Sequence, residues 1–178
     1  INRMYAVTRN RETIFAEYIF THHPDFKDVP QYYSRYSAFH IEGGDILNIN
    51  EHVLAIGISQ RTEPDAIDGI AHNIFNDPTS PVDTILAFNI PNNRAMMHLD
   101  TVFTQIDVDK FTIHPGIMGP LSVFEITPEG DGIKVHEINA PLEQILEKYI
   151  GMPVTLIPCG GGDRIAAERE QWNDGSNT

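Results

Sequence analysis

Two short motifs combine side chains that could hold a cationic substrate and move protons. The first, Glu42-Gly43-Gly44-Asp45, places two carboxylates three residues apart, with glycines between them that allow close approach of a ligand to the backbone. The second, His98-Leu99-Asp100, places an imidazole two residues before a carboxylate. If that segment is extended, both side chains lie on the same side, because side chains alternate along a strand. A histidine with a nearby carboxylate is suited to general acid–base catalysis.

Each motif also has a plainer interpretation. Glycines flanked by acids are common in solvent-exposed turns, and a buried histidine and aspartate can simply bond to each other. A metal pair is a third alternative for His98 and Asp100, but no third or fourth ligand follows at a diagnostic spacing. From the residues alone these alternatives stay open, and no metal site is predicted.

Two arginines and the single cysteine are the remaining candidates. Arg9 and Arg61 each follow a predicted strand in a chain with only 12 basic residues, and an arginine can bind a carboxylate through two hydrogen bonds. Taken singly, a surface position explains either arginine. Cys159 lies between Pro158 and three glycines with no base beside it in sequence. We therefore expect a small, partly buried thiol there rather than a nucleophile.

The elements that must position these residues follow the order strand, strand, helix, strand in the first half of the chain. Apolar spacing and turn residues predict a strand over Met4–Thr8, a helix over Arg11–Phe20, a strand over Ala38–Ile41, a hairpin of Ile46–Ile49 and Val53–Ile58, a helix capped by Thr62, and a strand over Thr84–Phe88.

The same order returns in the second half. The predicted elements are strands over Thr101–Ile106 and Phe111–Ile113, a hairpin of Ser122–Thr127 and Ile133–Ile138, a helix over Pro141–Ile150 ended by Gly151, and a strand over Val154–Ile157.

Asp45, Asp100 and Asp163 each stand just beyond a predicted strand or its connector, 55 and 63 residues apart. Such a period indicates repeated α/β units packed around a shared centre, where the aspartates could converge.

Composition narrows the possible partners. The net charge of −13 argues against nucleic acid or an anionic membrane surface. No apolar stretch approaches the roughly 20 residues that cross a bilayer. A single cysteine excludes an intrachain disulfide and suits the cytoplasm. The strand-like start and the turn-forming tail Asn173–Thr178 lead us to expect a fragment of a longer chain.

Taken together, five motifs in order resemble the arginine deiminases of the guanidine-modifying, or pentein, superfamily. They are Tyr5–Arg11, Ile41–Asp45, Ile56–Thr62, His98–Thr104 and Arg169–Gly175. The resemblance therefore spans essentially the whole chain, and it is to streptococcal or lactic-acid-bacterial members of the family. It implies a pentein-type α/β propeller of ββαβ units, only partly contained in this chain. It also implies hydrolysis of L-arginine to L-citrulline and ammonia through a cysteine–amidino intermediate, without a cofactor.

The resemblance also implies roles for individual residues. His98 is the expected proton shuttle, Glu42 its carboxylate partner and Asp100 the residue that holds the guanidinium nitrogens. Arg9 and Arg61 are expected to hold the substrate α-carboxylate, and Asp45 is grouped with them as substrate-binding.

The departures from the family are equally specific. Its second guanidinium-binding aspartate and inserted helical domain are expected upstream of residue 1, and its nucleophilic cysteine beyond Thr178. Residues 1–178 are thus expected to be part of one catalytic domain, inactive alone and homo-oligomeric in the full-length protein. The alternatives are agmatine deiminase, an amidinotransferase, or a non-catalytic surface or binding protein on the same scaffold.

Overall fold

Residues 1–41 form an irregular segment with one α-helix. The computed structural model describes residues 1–92 and 96–174, so the end of the predicted C-terminal turn, residues 175–178, lies outside the described residues. A 3-10 helix over Val7–Arg11 leads into α1, Thr13–His22.

The strands predicted over Met4–Thr8 and Ala38–Ile41 are wrong. The backbone hydrogen bond from Ile41 N–H goes to the carbonyl of Arg3, which precedes the first of these stretches. The amide of Met4 instead donates to the Asn10 side chain and that of Tyr5 to the Glu42 side chain. Because side-chain oxygens accept from these amides, the amides cannot contribute to a strand ladder.

The first strand–strand–helix–strand unit is confirmed. β1, Ile46–Asn48, and β2, Val53–Ile58, form the antiparallel hairpin. After α2, Pro64–Phe75, the strand β3, Thr84–Asn89, lies parallel to β2.

The predicted helix cap at Thr62 is wrong. Glu63 occupies the N-cap position of α2, without a side-chain cap hydrogen bond. The hydroxyl of Thr62, fully buried, donates to Asp45 instead. A capping hydroxyl must point back over the helix N-terminus, whereas this one is engaged at the candidate site.

The second unit repeats this topology with an insertion. β4, Phe103–Asp107, and β5, Lys110–Ile113, are antiparallel, and β8, Thr155–Pro158, lies parallel to β5. Between β5 and β8 the chain adds the hairpin of β6, Pro120–Glu129, and β7, Gly132–Pro141, and then α3, Leu142–Ile150. A short helix α4, Arg164–Arg169, follows β8. Gly151 ends α3 with φ of +80°, the predicted left-handed conformation.

The inserted hairpin connects the two units. β6 pairs antiparallel with β3, which gives a five-stranded sheet in the order β1-β2-β3-β6-β7 beside a three-stranded sheet in the order β4-β5-β8. The predicted α/β fold of repeated units is therefore observed as two mixed sheets. Over residues 1–92 and 96–174, neither sheet closes on itself.

Three phenylalanines, one from each of three strands, join the sheets. Phe88 of β3 contacts Phe103 of β4 with ring centroids 5.3 Å apart, and Phe103 contacts Phe111 of β5 at 6.1 Å. All three are buried, and burying such a side chain stabilises the fold by about 1.5–3 kcal/mol. A second core lies between α2 and the first sheet. No helix in the described part of the chain is long and apolar enough to cross a membrane.

Candidate active site

Two single turns of 3-10 helix carry the predicted site residues to one place. Gly43–Asp45 precedes β1, and Leu99–Thr101 precedes β4, so each unit begins with a 3-10 turn. Glu42 and His98 occupy the equivalent extended N-cap positions of these turns. The prediction that His98–Asp100 is an extended segment is therefore wrong beyond His98. The 3-10 turn forms because the Thr101 hydroxyl and amide both donate to the His98 carbonyl.

The two N-cap residues form the centre of the site. His98 Nε2 lies 3.0 Å from Glu42 Oε2. A side chain at Gly44 would meet Cγ and Nδ1 of His98, and Oδ2 of Asp100, all at 3.0 Å. Gly44 thus allows both residues of the second turn to approach the first. The glycine at this position of the motif thus serves the contact between the two 3-10 turns.

Glu42 is almost fully buried and has donors on both oxygens. Its exposed fraction is 2%, and Oε1 accepts from the backbone amide of Tyr5. Besides His98, Oε2 faces Arg61 Nη1 at 3.3 Å and Arg9 Nη1 at 3.6 Å. A buried carboxylate is tolerated only when paired and hydrogen-bonded, and these contacts meet both conditions.

Arg61 has one edge engaged and the other without a strong acceptor. Its Nη1 donates to Glu42, whereas Nη2 donates to the thioether sulfur of Met97, at 3.7 Å. Its Nε is buried and has no hydrogen-bond partner within the described part of the chain. The Nε–Nη2 edge is one of the two sides on which a guanidinium binds a carboxylate through paired hydrogen bonds.

Arg9 lies in the 3-10 helix Val7–Arg11, not at the end of a strand as predicted. Its Nε and Nη2 both donate to the Glu12 carboxylate, at 3.0 and 2.9 Å. The Nε–Nη2 edge of Arg9 is therefore occupied by the exposed Glu12.

Asp100 presents a buried acceptor. Its Oδ1 has no hydrogen-bond partner among the residues that the structure describes. Burial raises the pKa of the Asp100 carboxyl, while the charge of His98 and the amide of Thr101 act in the opposite direction. A ligand that brings N–H donors and positive charge would satisfy this oxygen.

Asp45 lies behind the site rather than in it. Its side chain has no exposed surface. Oδ2 accepts from the hydroxyls of Ser59 and Thr62, and Oδ1 accepts from the amide of Leu99. Because no atom of the Asp45 side chain is exposed, this arrangement does not support the expectation that Asp45 contacts substrate.

The remaining candidates lie outside this cluster. Asp163 accepts from the amide of Ala166 as the N-cap of α4, so it serves a helix rather than a shared centre. Burial and the nearby Glu170 raise the pKa of the Cys159 thiol, which disfavours the reactive thiolate. In the described part of the chain no group of three or more histidines, cysteines and acids has an arrangement that could hold a metal ion.

Sequence reasoning missed Ser59, Thr62 and Met97. Serine and threonine occur in most loops, so these two hydroxyls carry no signal by themselves. Their position on either side of Arg61, directly after β2, is the only local indication that they serve the site. Met97 directly precedes His98, which gave no reason to expect a contact with Arg61.

Comparison with known proteins identifies the family of the chain. The family model described as arginine deiminase matches residues 1–178. Similar curated proteins named arginine deiminase include those of Treponema denticola, 64% identical, Clostridium perfringens, 55% identical, and Streptococcus gordonii, 51% identical. Each match covers 100% of this chain and 44% of the relative. The chain thus spans less than half the length of these relatives, and the expected likeness to streptococcal proteins is confirmed.

Proposed function

The chain belongs to the arginine deiminase family, and on that premise we propose that it is part of an enzyme that hydrolyses L-arginine to L-citrulline and ammonia. One observation carries the proposal: among residues 1–92 and 96–174, the buried carboxylate oxygen Asp100 Oδ1 has no donor and the buried guanidinium nitrogen Arg61 Nε has no acceptor. A ligand with a cationic planar group at one end and a carboxylate at the other satisfies both.

L-Arginine fits these requirements at its two ends. Its guanidinium would donate to Asp100, which fixes the plane of the group for attack. Its α-carboxylate would accept from the Nε–Nη2 edge of Arg61. Arg9 is the proposed second anchor, and for this it must release Glu12. That exchange is favourable because an exposed ion pair contributes little stability.

His98 and Glu42 are the proposed acid–base pair. A cysteine thiolate, proposed to lie outside residues 1–178, attacks the guanidinium carbon, and the bond from that carbon to a terminal nitrogen breaks. The leaving nitrogen takes a proton from His98 and departs as ammonia. A water then gives one proton to His98 and its oxygen attacks the same carbon. The carbon–sulfur bond breaks, which regenerates the thiolate, and loss of the remaining hydroxyl proton to solvent forms the ureido group of citrulline. Because Glu42 holds Nε2, the proton transfers fall to Nδ1.

The proposed context is a larger protein. We propose that the two ββαβ units are two blades of a pentein-type α/β propeller, and that residues 1–178 are part of its single catalytic domain. The full-length enzyme is proposed to be cytoplasmic, homo-oligomeric and independent of a cofactor. Agmatine deiminase, an amidinotransferase and a non-catalytic scaffold are disfavoured because the matched family model and relatives are arginine deiminases.

The test compares two substrates in the full-length protein that contains this chain. The wild type should release citrulline from arginine, and His98→Ala should lower kcat by about 10²–10⁴-fold. Arg61→Ala should raise KM for arginine but not for agmatine, which lacks the carboxylate. Absence of citrulline, or equal effects of Arg61→Ala on both substrates, would overturn the proposal.

A further inference from the structure

The buried carboxylate of Asp45 connects, directly or through one hydroxyl, to the backbone of Glu42, of Arg61 and of the turn that carries His98 and Asp100. We propose that Asp45 is a positioning residue: through Ser59, Thr62 and Leu99 it sets the places of Arg61, Glu42 and the His98–Asp100 turn without touching substrate. This inference rests on the proposed function, because it assigns those residues their tasks.

Two of the three connections pass through a hydroxyl. Thr62 Oγ1 accepts from the amide of Glu42 at 3.2 Å and donates to Asp45 Oδ2 at 2.6 Å. Ser59 Oγ accepts from the amide of Arg61 at 3.0 Å and donates to the same oxygen at 2.7 Å. An amide can only donate, so each hydroxyl accepts on that side and has its own proton to give to Asp45. Both sets of hydrogen bonds therefore run from the amide through the hydroxyl to the Asp45 carboxylate.

The third connection is direct and reaches the other unit. The amide of Leu99, between His98 and Asp100, donates to Asp45 Oδ1 at 2.9 Å. Asp45 belongs to the turn before β1 and Leu99 to the turn before β4. One carboxylate therefore ties the two turns that bring Glu42 and His98 together.

The surroundings of Asp45 require both of its side-chain oxygens to act as acceptors. All three neighbours donate to Asp45, so a carboxylate satisfies them and an amide cannot. The Asn variant has nearly the same shape, but its NH2 group would face two hydroxyls whose protons then lose their acceptor. Gly57 leaves the space that the carboxylate occupies, because a Cβ there would lie 2.6 Å from Asp45 Oδ1.

Hydrogen bonds to Asp45 counteract the effect of its burial. Burial raises the pKa of the Asp45 carboxyl, and the bonds from Thr62, Ser59 and Leu99, together with the charge of His98, oppose that rise. The same donors that Asp45 positions thus favour its ionised form.

The test separates the three connections by steady-state kinetics of the full-length enzyme with L-arginine. Asp45→Asn, which affects all of them, should lower kcat/KM by about 10²-fold, the order expected for misplacing reacting groups by about 1 Å.

The two hydroxyl connections are tested one at a time. Thr62→Val keeps the shape of the side chain and removes the hydroxyl that connects Asp45 to Glu42, so it should lower kcat about tenfold with KM within about threefold. Thr62→Ser keeps the hydroxyl and should restore kcat to within about threefold of wild type. Ser59→Ala should raise KM about fivefold with kcat nearly unchanged, because the Ser59 connection holds Arg61.

Asp77→Asn is the matched control. Asp77 also accepts several hydrogen bonds, from Tyr32 and from the amide and hydroxyl of Thr79, but it lies beyond α2, outside the site. Its kcat and KM should stay at wild-type values, with citrulline formation normalised to folded protein.

Four outcomes decide the matter. Asp45→Asn activity within threefold of wild type, equal losses in Thr62→Val and Thr62→Ser, or a fall in kcat with unchanged KM in Ser59→Ala would each overturn the Asp45 inference alone. A folded wild-type enzyme that forms no citrulline would overturn the proposed function and this inference together. The threonine pair decides the question even if Asp45→Asn does not fold.

Discussion

Replacing Gly44 with alanine perturbs the contact between the two 3-10 turns most directly. An ideal Cβ at this position lies 3.0 Å from Asp100 Oδ2 and from Cγ and Nδ1 of the His98 ring. Non-bonded carbon atoms prefer about 3.5–4.0 Å, so the ring must retreat by a few tenths of an ångström. A misplacement of about 1 Å costs about 10²-fold in rate. We therefore expect Gly44→Ala to lower kcat/KM by roughly tenfold.

The neighbouring glycine supplies a matched control. A Cβ at Gly43 meets no atom within 4 Å, and this residue borders a cavity of about 440 Å³. Neither glycine has a positive φ, so alanine fits the backbone at both positions. Both variants reduce the freedom of the unfolded chain equally. Any difference in activity between them therefore reflects the folded site.

The assay is citrulline formation by the full-length protein, with kcat and KM measured for both variants and their thermal midpoints recorded. Gly43→Ala should keep kcat/KM within about threefold of wild type. The reasoning is refuted if Gly44→Ala does the same, or if Gly43→Ala loses as much activity as Gly44→Ala.

Three further expectations concern Asp100, Cys159 and the isolated chain. Asp100→Asn should abolish arginine turnover yet raise the stability of the chain, on the order of 1 kcal/mol, because a neutral amide costs less to bury than a carboxylate oxygen that has no donor among the described residues. Burial raises the pKa of Asp100, so the native state holds its proton more tightly than the unfolded state. Wild-type stability relative to the variant should therefore fall as pH rises above the ordinary pKa of an aspartate, about 3.9, and a urea titration at several pH values checks this. Cys159→Ser in the full-length enzyme should keep kcat within about twofold, and native Cys159 should react slowly with iodoacetamide, because burial and Glu170 raise its thiol pKa. The 178-residue chain alone should form no citrulline, and activity that is lost on Cys159→Ser would contradict both statements.

Elements with a strong local pattern could be predicted from the sequence. Ile67, Ile70 and Ile74 have helical spacing and are buried on one face of α2. The hairpin β1–β2 follows from two apolar runs around a short turn, and Gly151 ends α3 in the left-handed conformation expected of it.

The errors arose where a distant side chain determines the backbone. Tyr5 has a strand-like sequence context, but its amide donates to Glu42, which lies 37 residues away. Thr62 has the right type and place for a helix cap, but Asp45, 17 residues earlier, accepts from its hydroxyl. Local patterns contain no information on such partners, and tertiary contacts override propensity in both cases.

The site itself shows the same limit. Glu42 and His98 are 56 residues apart, and their bond follows from the equivalent turns of the two units rather than from spacing. The motifs predicted the candidate residues, whereas the contacts of each one depend on its neighbours in the fold. Asp45 is the clearest example, since the family resemblance implies a substrate contact and its side chain has no exposed surface.

The charges of the site match the proposed substrate in pairs. In the structure, Glu42 Oε2 faces three potential cations, His98, Arg61 and Arg9, while Asp100 Oδ1 has no donor among residues 1–92 and 96–174. Arginine adds a guanidinium for Asp100 and a carboxylate for the Nε–Nη2 edge of Arg61. Glu42 remains the partner of His98, which must carry a proton when ammonia leaves. Agmatine would supply the first pair but not the second, so the Nε–Nη2 edge of Arg61 would stay without a carboxylate. Discrimination between the two substrates should therefore appear mainly in KM.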